Sequence, residues 1–278
     1  MKVGIVGQGF VGSAIKEGLS GFHDVMTYDK RPEKSMAVSL EQVVQNSEIV
    51  FVCLPTPMKK SGECDTRILE SVVSDINDMC IKTKNKILVI KSTVPPGTTD
   101  FLNDKYSNVK IVFSPEFLTE ANSFDDFKNQ SRIIIGGEGA KKVKQMFRKP
   151  FPKIPIVVTK AKTAEMVKYF INCFLASKVT FANQMYEICE SLGVDYDKVC
   201  EYSLLDERIG NSHLAVPGPD GDLGYGGHCF PKDVAAMVYS ALDSNANPDF
   251  LSQVIASNGR YRKNKDWLAM KGRAVSED

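Results

Sequence analysis

The chain opens on a short apolar strand, "KVGIVG", that runs without interruption into "GQGFVG", so that Gly7, Gly9 and Gly12 fall in G-x-G-x-x-G spacing. Residues 11–20 then read as a helix, and "DVMTYD" as a second strand. The same alternation continues. "SEIVFVCLP", "NKILVIKST", "NVKIVFSPEF" and "QSRIIIGG" are near-continuous apolar runs, and helical segments lie near 39–46, 66–80, 97–105 and 139–149. Strands apolar on both faces and separated by helices belong in a parallel sheet covered on both sides. That is the doubly wound α/β class.

After "FPKIPIVVTK" the character changes. From Ala161 to Leu192 there is neither proline nor glycine, and a helix of about 30 residues would measure roughly 45 Å. Further helices follow, broken by a Gly/Pro-rich loop at 217–227. The expected organisation is a Rossmann-type domain over residues 1–158 and an all-α domain over 159–278.

The glycine motif alone is weak, but here it ends a strand and opens a helix. Gly7 allows the tight turn, Gly9 lets the backbone approach a pyrophosphate, and Gly12 lets helix and strand pack closely. The helix N-terminus faces the phosphate charge. Asp29 closes the second strand, about 20 residues on, where a carboxylate accepts hydrogen bonds from the adenosine ribose. It would repel a 2′-phosphate, so the expected cofactor is NAD rather than NADP, with Lys30, Arg31 and Lys34 softening that preference.

A formal net charge of +1 recommends neither nucleic acid nor a membrane surface as partner. No apolar run approaches the roughly 20 residues needed to span a bilayer, and the N-terminus does not read as a signal peptide. Seven cysteines without a C-x-x-C pair, and three scattered histidines, argue against a metal site and for reduced thiols in a cytoplasmic protein. Cys173, Cys189 and Cys200 lie in helical stretches and read as packing residues.

A set of motifs in fixed order narrows the field. "PTP" at 55–57, "KSTVPPGT" at 91–98 and "SPEFLTEANSFDDF" at 114–127 follow the third, fourth and fifth strands, where open α/β sheets collect ligands. "EMVKYFINCF" lies on the long helix, followed by "DERIGN" at 206–211 and "GYGGHCFPKD" at 224–233. The series resembles the nucleotide-sugar dehydrogenases of the UDP-glucose 6-dehydrogenase family, whose second domain is of the 6-phosphogluconate-dehydrogenase type. Members oxidise a sugar C6 alcohol to a carboxylate with two NAD and one water.

The resemblance implies roles for particular residues. Cys229 would trap the intermediate aldehyde as a thiohemiacetal, which becomes a thioester for water to hydrolyse. Lys168 and Asn172, spaced i, i+4 on one helix face, would bind the developing oxyanion. Asp233 would orient water and take the alcohol proton. Glu116 would serve in thioester hydrolysis, with Glu120 nearer the nicotinamide and Thr93 in the same region. Phe10, Val11, Lys34, Pro55, Thr56, Ser92 and Lys232 join the glycines and Asp29 around the cofactor. Phe117, Leu118, Tyr225 and Gly226 join the substrate side, and Arg208 would reach the substrate of a neighbouring subunit. The substrate is expected to be a UDP-sugar and the assembly a homodimer through the helical domain.

Against the inert alternative for Cys229 stands its glycine-rich loop with Lys232 and Asp233 directly after it. A β-hydroxyacid-type dehydrogenase would share the two-domain plan but would need no such cysteine. The sequence departs from the family in two ways. It ends at Asp278, before a third, nucleotide-gripping domain, which raises a second expectation: a catalytically weak NAD-binding paralogue that pairs with a full-length or separate nucleotide-binding chain. The segment "NSHLAVPGPDGDLG" is also longer than usual, and is expected to act as a substitute nucleotide clamp.

Overall fold

The computed structural model describes residues 1–83 and 86–277. They form two compact units, Met1–Thr56 with Thr66–Lys168, and Pro57–Asp65 with Tyr169–Asp278. The division falls inside the long helix, beyond the 158/159 boundary expected from composition, and it assigns the short segment after the third strand to the second unit. Asp278, the expected last residue of the helical domain, and Asn85, the expected first residue of the fourth strand, lie outside the described residues.

The first unit holds a sheet of strands β1 (Lys2–Val6), β2 (Asp24–Tyr28), β3 (Ile49–Val52), β4 (Lys86–Ile90), β5 (Val109–Phe113), β6 (Ile133–Gly136) and β7 (Ile156–Thr159), in the order β2-β1-β3-β4-β5-β6-β7. β1 to β5 pair in parallel, as their composition requires: β3 and most of β4 are buried on both faces. Two features differ from expectation. β5 and β6 pair antiparallel, through Phe113 and Gly136, so the sheet is mostly rather than wholly parallel. β7, in the "KIPIVVTK" stretch, adds a seventh strand at the edge, where Val157 and Val158 are exposed.

Helices α1 (Phe10–Ser20), α2 (Leu40–Asn46), α3 (Arg67–Met79), α4 (Thr98–Lys105), α5 (Ser123–Lys128) and α6 (Ala140–Arg148) connect these strands. One apolar layer packs Ile5, Phe51, Val89 and Val112 against Ile15, Phe127 and Phe147. The other packs Val6, Val52 and Ile90 against Leu69, Val73 and Leu102. This two-sided burial makes the sheet a rigid base whose strand ends carry the candidate site.

α7 (Ala161–Leu192) runs for 32 residues, matching the glycine- and proline-free stretch. In the second unit α8 (Tyr196–Ser203), α9 (Phe230–Asp243) and α10 (Asp249–Tyr261) follow. Tyr225, Val234, Val254 and Cys173 form its core, and the 57–65 segment joins through Met58, whose N–H donates to Ala274 O at 2.8 Å.

Candidate active site

At the end of β1, Gly7 adopts φ +90°, a conformation that other residues reach only under strain, and a Cβ there would overlap the carbonyl of Cys53. A Cβ on Gly12 would overlap the Gly7 carbonyl, whereas one on Gly9 would meet nothing within 4 Å. Two glycines are thus fixed by packing, and the third faces open space. Gly9 is the N-cap of α1, which has no side-chain cap and no acidic residue in its first turn. An uncapped helix N-terminus beside open space suits a pyrophosphate. Phe10 and Val11, both half-buried, form the first turn.

Asp29 is buried, and its carboxylate accepts from Gln8 N at 2.7 Å, Arg31 N at 2.9 Å and Arg31 Nε at 3.1 Å. Burial pushes its carboxyl up, but the Gln8 and Arg31 donors outweigh this and hold it below the usual range. It therefore stays ionised at neutral pH, as an acceptor for ribose hydroxyls must. Lys34 is exposed at the end of a short 3-10 turn. Ser92 and Thr56 are bound to the main chain at the strand ends. Ser92 Oγ donates to Leu54 O at 2.6 Å, and Thr56 Oγ1 donates to Thr93 O at 2.7 Å. Thr93 is buried beside them, and Pro55 is exposed.

After β5 the chain enters a charged, buried cluster. Lys168 Nζ, from α7, donates to Glu116 O at 2.8 Å and to Glu116 Oε1 at 3.0 Å, while Leu118 N donates to Glu116 Oε2 at 2.7 Å. Burial pushes the Glu116 carboxyl up, but Lys168 and the Leu118 amide bring it below the usual carboxylate range. Two cations approach the Phe117 ring, Arg132 at 4.2 Å and Lys168 at 5.6 Å from its centroid. Glu120 is exposed on the following turn.

Lys91, the first residue of "KSTVPPGT", joins this cluster although no sequence motif singles it out. It is buried at the end of β4, and its Nζ donates to Pro115 O at 2.9 Å and to Ser114 Oγ at 3.4 Å. A lone lysine closing an apolar run is the only sequence signal for it. A cavity of about 220 Å³ adjoins it, lined also by Glu116, Phe117, Leu118, Asp126 and Arg132.

In the second unit Cys229 is half-buried and occupies the N-cap position of α9. A helix N-terminus stabilises an anion formed there. One turn on, Asp233 is almost fully buried, its carboxylate accepting from Asn172 Nδ2 and from Lys232 Nζ, each at 2.5 Å. Burial opposes the Lys232 charge, but Asp233 overcomes it and raises the ammonium, with Cys229 also contributing. Lys232 is therefore tied to Asp233. Burial, with Asp233, pushes the Cys173 thiol up to about 12, as befits a packing cysteine.

Two expected substrate residues serve the loop itself. Tyr225 is buried, its ring edge-on to Phe230 and its main chain doubly bonded to the Asn258 side chain, at 2.7 and 3.0 Å. A Cβ on Gly226 would overlap the Arg262 guanidinium and the Asp266 carboxylate. Arg208 is exposed and paired with Asp206. Asp220, in the long segment, binds Arg262 at 2.6 Å. No group of three or more potential metal ligands occurs among the described residues.

The first unit thus carries a glycine turn with an ionised acid at the end of β2, an arrangement of the dinucleotide-binding class, and the second carries a cysteine at a helix N-terminus one turn before a buried Asn–Asp–Lys array. The chain belongs to the UDP-glucose/GDP-mannose dehydrogenase family: residues 29–151 match its NAD binding domain and residues 162–260 its central domain. It is 31% identical to a UDP-glucose 6-dehydrogenase of Rhizobium meliloti, over 95% of this chain and 68% of that one. It is 35% identical to a UDP-glucose 6-dehydrogenase of Rickettsia bellii, over 77% of this chain and 50% of that one. Among solved structures, a UDP-glucose dehydrogenase from Pyrobaculum islandicum superposes with a TM-score of 0.84 at 28% identity, over 93% of this chain and 68% of that one. The chain thus spans between half and about two thirds of these relatives' lengths. The cofactor is NAD.

Proposed function

We propose that the protein oxidises the C6 alcohol of a nucleotide-sugar, of the UDP-glucose type, to the carboxylate, with Cys229 carrying the intermediate. The observation that carries this reading is the array along α9. The Cys229 sulfur sits at the helix N-terminus, and one turn on Asp233 is held by Asn172 and Lys232. The Gly7–Gly12 turn and Asp29 would hold NAD, which would supply the hydride acceptor for each of the two oxidations.

In the first step Asp233 takes the hydroxyl proton as the C6 hydrogen leaves as hydride, giving the aldehyde. The Cys229 thiolate then adds to the aldehyde carbon, and Lys168 and Asn172, one turn apart on α7, donate to the resulting oxyanion. Loss of the second hydride from this thiohemiacetal carbon leaves a thioester on Cys229. Glu116 and Asp233 move the proton of the attacking water, and the thiolate departs as the carboxylate forms.

A homodimer fits the outer face of α7, where Phe170, Phe174, Phe181 and Leu192 are all exposed in one helix. Apolar side chains in such a row mark an interaction surface. A cytoplasmic setting fits the seven cysteines, none of them in a disulfide, and no described helix is long and apolar enough to cross a membrane.

The test is NADH release against a panel of UDP- and GDP-sugars, with stoichiometry per sugar consumed and with Cys229→Ser alongside. The reading requires two NADH per sugar acid, and a serine variant that binds NAD but makes no acid in steady state. Unchanged acid production by that variant would overturn it.

A further inference from the structure

We propose that Lys91 is a positioning residue for Glu116 and Lys168: its buried ammonium anchors the 114–116 main chain, and it gains or loses one proton to match the charge bound beside Lys168. The substrate side of this statement rests on the reading above; the part concerning Lys91 itself does not.

The geometry begins with the strand register. β4 and β5 pair in parallel with Ile90 beside Phe113, and Ser114 N continues the ladder to Ile90 O at 3.0 Å. That register brings Lys91 to the turn leaving β5, where it bonds Pro115 O and Ser114 Oγ. Lys168 bonds the next carbonyl, Glu116 O. Two ammonium groups from two elements therefore clamp successive peptide carbonyls, and these fix where the Glu116 carboxylate points.

Lys91, Lys168 and Glu116 are all buried, with 6%, 4% and 8% exposure. The Lys91 ammonium itself is held only by neutral oxygens, Pro115 O and Ser114 Oγ, while the Glu116 carboxylate beside it is bonded by Lys168 and the Leu118 amide. The remaining groups facing Lys91 are the Cys53 thiol at the end of β3 and, around the adjoining cavity, Asp126 and Arg132. Asp126 is bonded by the Thr119 amide and hydroxyl, and Arg132 is spread on Phe117. Burial pushes the Cys53 thiol up to about 12, so it adds no negative charge near neutrality. A buried ammonium held by neutral oxygens is relieved either by losing a proton or by gaining an anion nearby. Burial first, with Lys168 adding to it against Glu116, brings the Lys91 ammonium down to about 8. Lys91 is thus the group poised to change state. With neutral alcohol or aldehyde beside Lys168 it gives up its proton readily, and when an oxyanion forms there the positive charge is wanted and the proton stays.

The experiment labels lysine side chains with ¹³C at Cε and follows their resonances with pH, Lys91 being assigned by its loss in Lys91→Arg. In the ligand-free protein Lys91 should titrate near pH 8, and in Lys168→Met about one pH unit higher or more, because the competing ammonium is gone. In turnover, Lys91→Arg, charged at every working pH, should lose the limb of the kcat profile near pH 8 with KM little changed. Lys91→Met should lower kcat roughly tenfold or more. Should the position-91 variants not fold, titrations of the unsubstituted protein and of Lys168→Met still decide. Should no nucleotide-sugar be oxidised, the catalytic reading fails while the titrations still test Lys91. A Lys91 that titrates above pH 10, or that does not respond to Lys168→Met, overturns the proposal.

Discussion

Lys168 donates twice to one residue, to the main-chain oxygen of Glu116 at 2.8 Å and to its carboxylate at 3.0 Å. One side chain thus fixes both the path of the chain after β5 and the direction of the carboxylate it carries. Because both partners are buried, removing one leaves an uncompensated charge, which typically costs 3–5 kcal/mol. Lys168→Met should therefore lower stability by roughly that amount. Lys168→Met with Glu116→Gln should cost clearly less than the two single changes added together. Urea unfolding followed by circular dichroism measures the coupling, and strict additivity would show that the pair does not interact.

Glu165, one turn before Lys168, is fully buried and accepts from Gly97 N at 2.6 Å and Thr99 N at 2.8 Å at the start of α4. Burial raises its carboxyl above the ordinary 4.5, outweighing those amide donors. The folded protein therefore holds this proton at pH values where the unfolded chain has lost it. The stability it contributes is fully present below 4.5 and declines as pH rises through the folded value. Glu165→Gln removes that decline. The Tm of the variant relative to the unsubstituted protein should accordingly move upward between pH 4 and pH 7; a constant difference would refute the sign.

The parts of this fold legible in the sequence are those fixed by a local rule. Gly7 is required by a positive φ and Gly12 by contact with a carbonyl, so their spacing announces the turn. β3 and β4 are apolar because both faces are covered. α5 escaped notice because "SFDDFK" is too short to show helical periodicity, and β7 because its outward valines follow a proline. The reversal between β5 and β6 is set by the path of residues 114–132, and strand composition does not record it. Lys91 was missed for a related reason: its significance lies in what β5 brings beside it. The anchoring of segment 57–65 to Ala274 and Ser276 is a pairing across more than two hundred residues, without local signature.

Asp29 makes the cofactor preference testable. Its ionised carboxylate is fixed by Gln8 N, and Arg31 lies against it at 3.1 Å. A 2′-phosphate would meet that charge at close range, so NAD should bind well ahead of NADP. Asp29→Ala removes the ribose acceptor and frees Arg31. NAD affinity should fall by about tenfold, roughly 1.4 kcal/mol, while NADP affinity holds or rises. Titration calorimetry reads both, and equal affinities in the unsubstituted protein would place control with Arg31 or its lysine neighbours.

The long segment before Cys229 is anchored inward. Arg262, 2% exposed, binds Asp220 at 2.6 Å, Asp222 at 3.5 Å and Asp266 at 3.1 Å, and Asp266 in turn accepts from Gly227 N at 3.0 Å. The expectation that this segment serves as a nucleotide clamp thus meets a competing role, in which its carboxylates neutralise a buried guanidinium behind the cysteine loop. Replacing residues 216–221 with a glycine linker removes Asp220 and also the buried Val216, and should destabilise the second unit by roughly 3–5 kcal/mol, the lost ion pair and the lost apolar burial adding together. Asp220→Ala alone should cost about 1–3 kcal/mol, since Asp222 and Asp266 remain. Trp267, the single tryptophan, adjoins Asp266 and reports this unit by fluorescence during urea unfolding. A linker variant with the stability of the unsubstituted protein but a raised KM for nucleotide-sugar would restore the clamp, and an unstable variant with unchanged KM would assign the segment to Arg262.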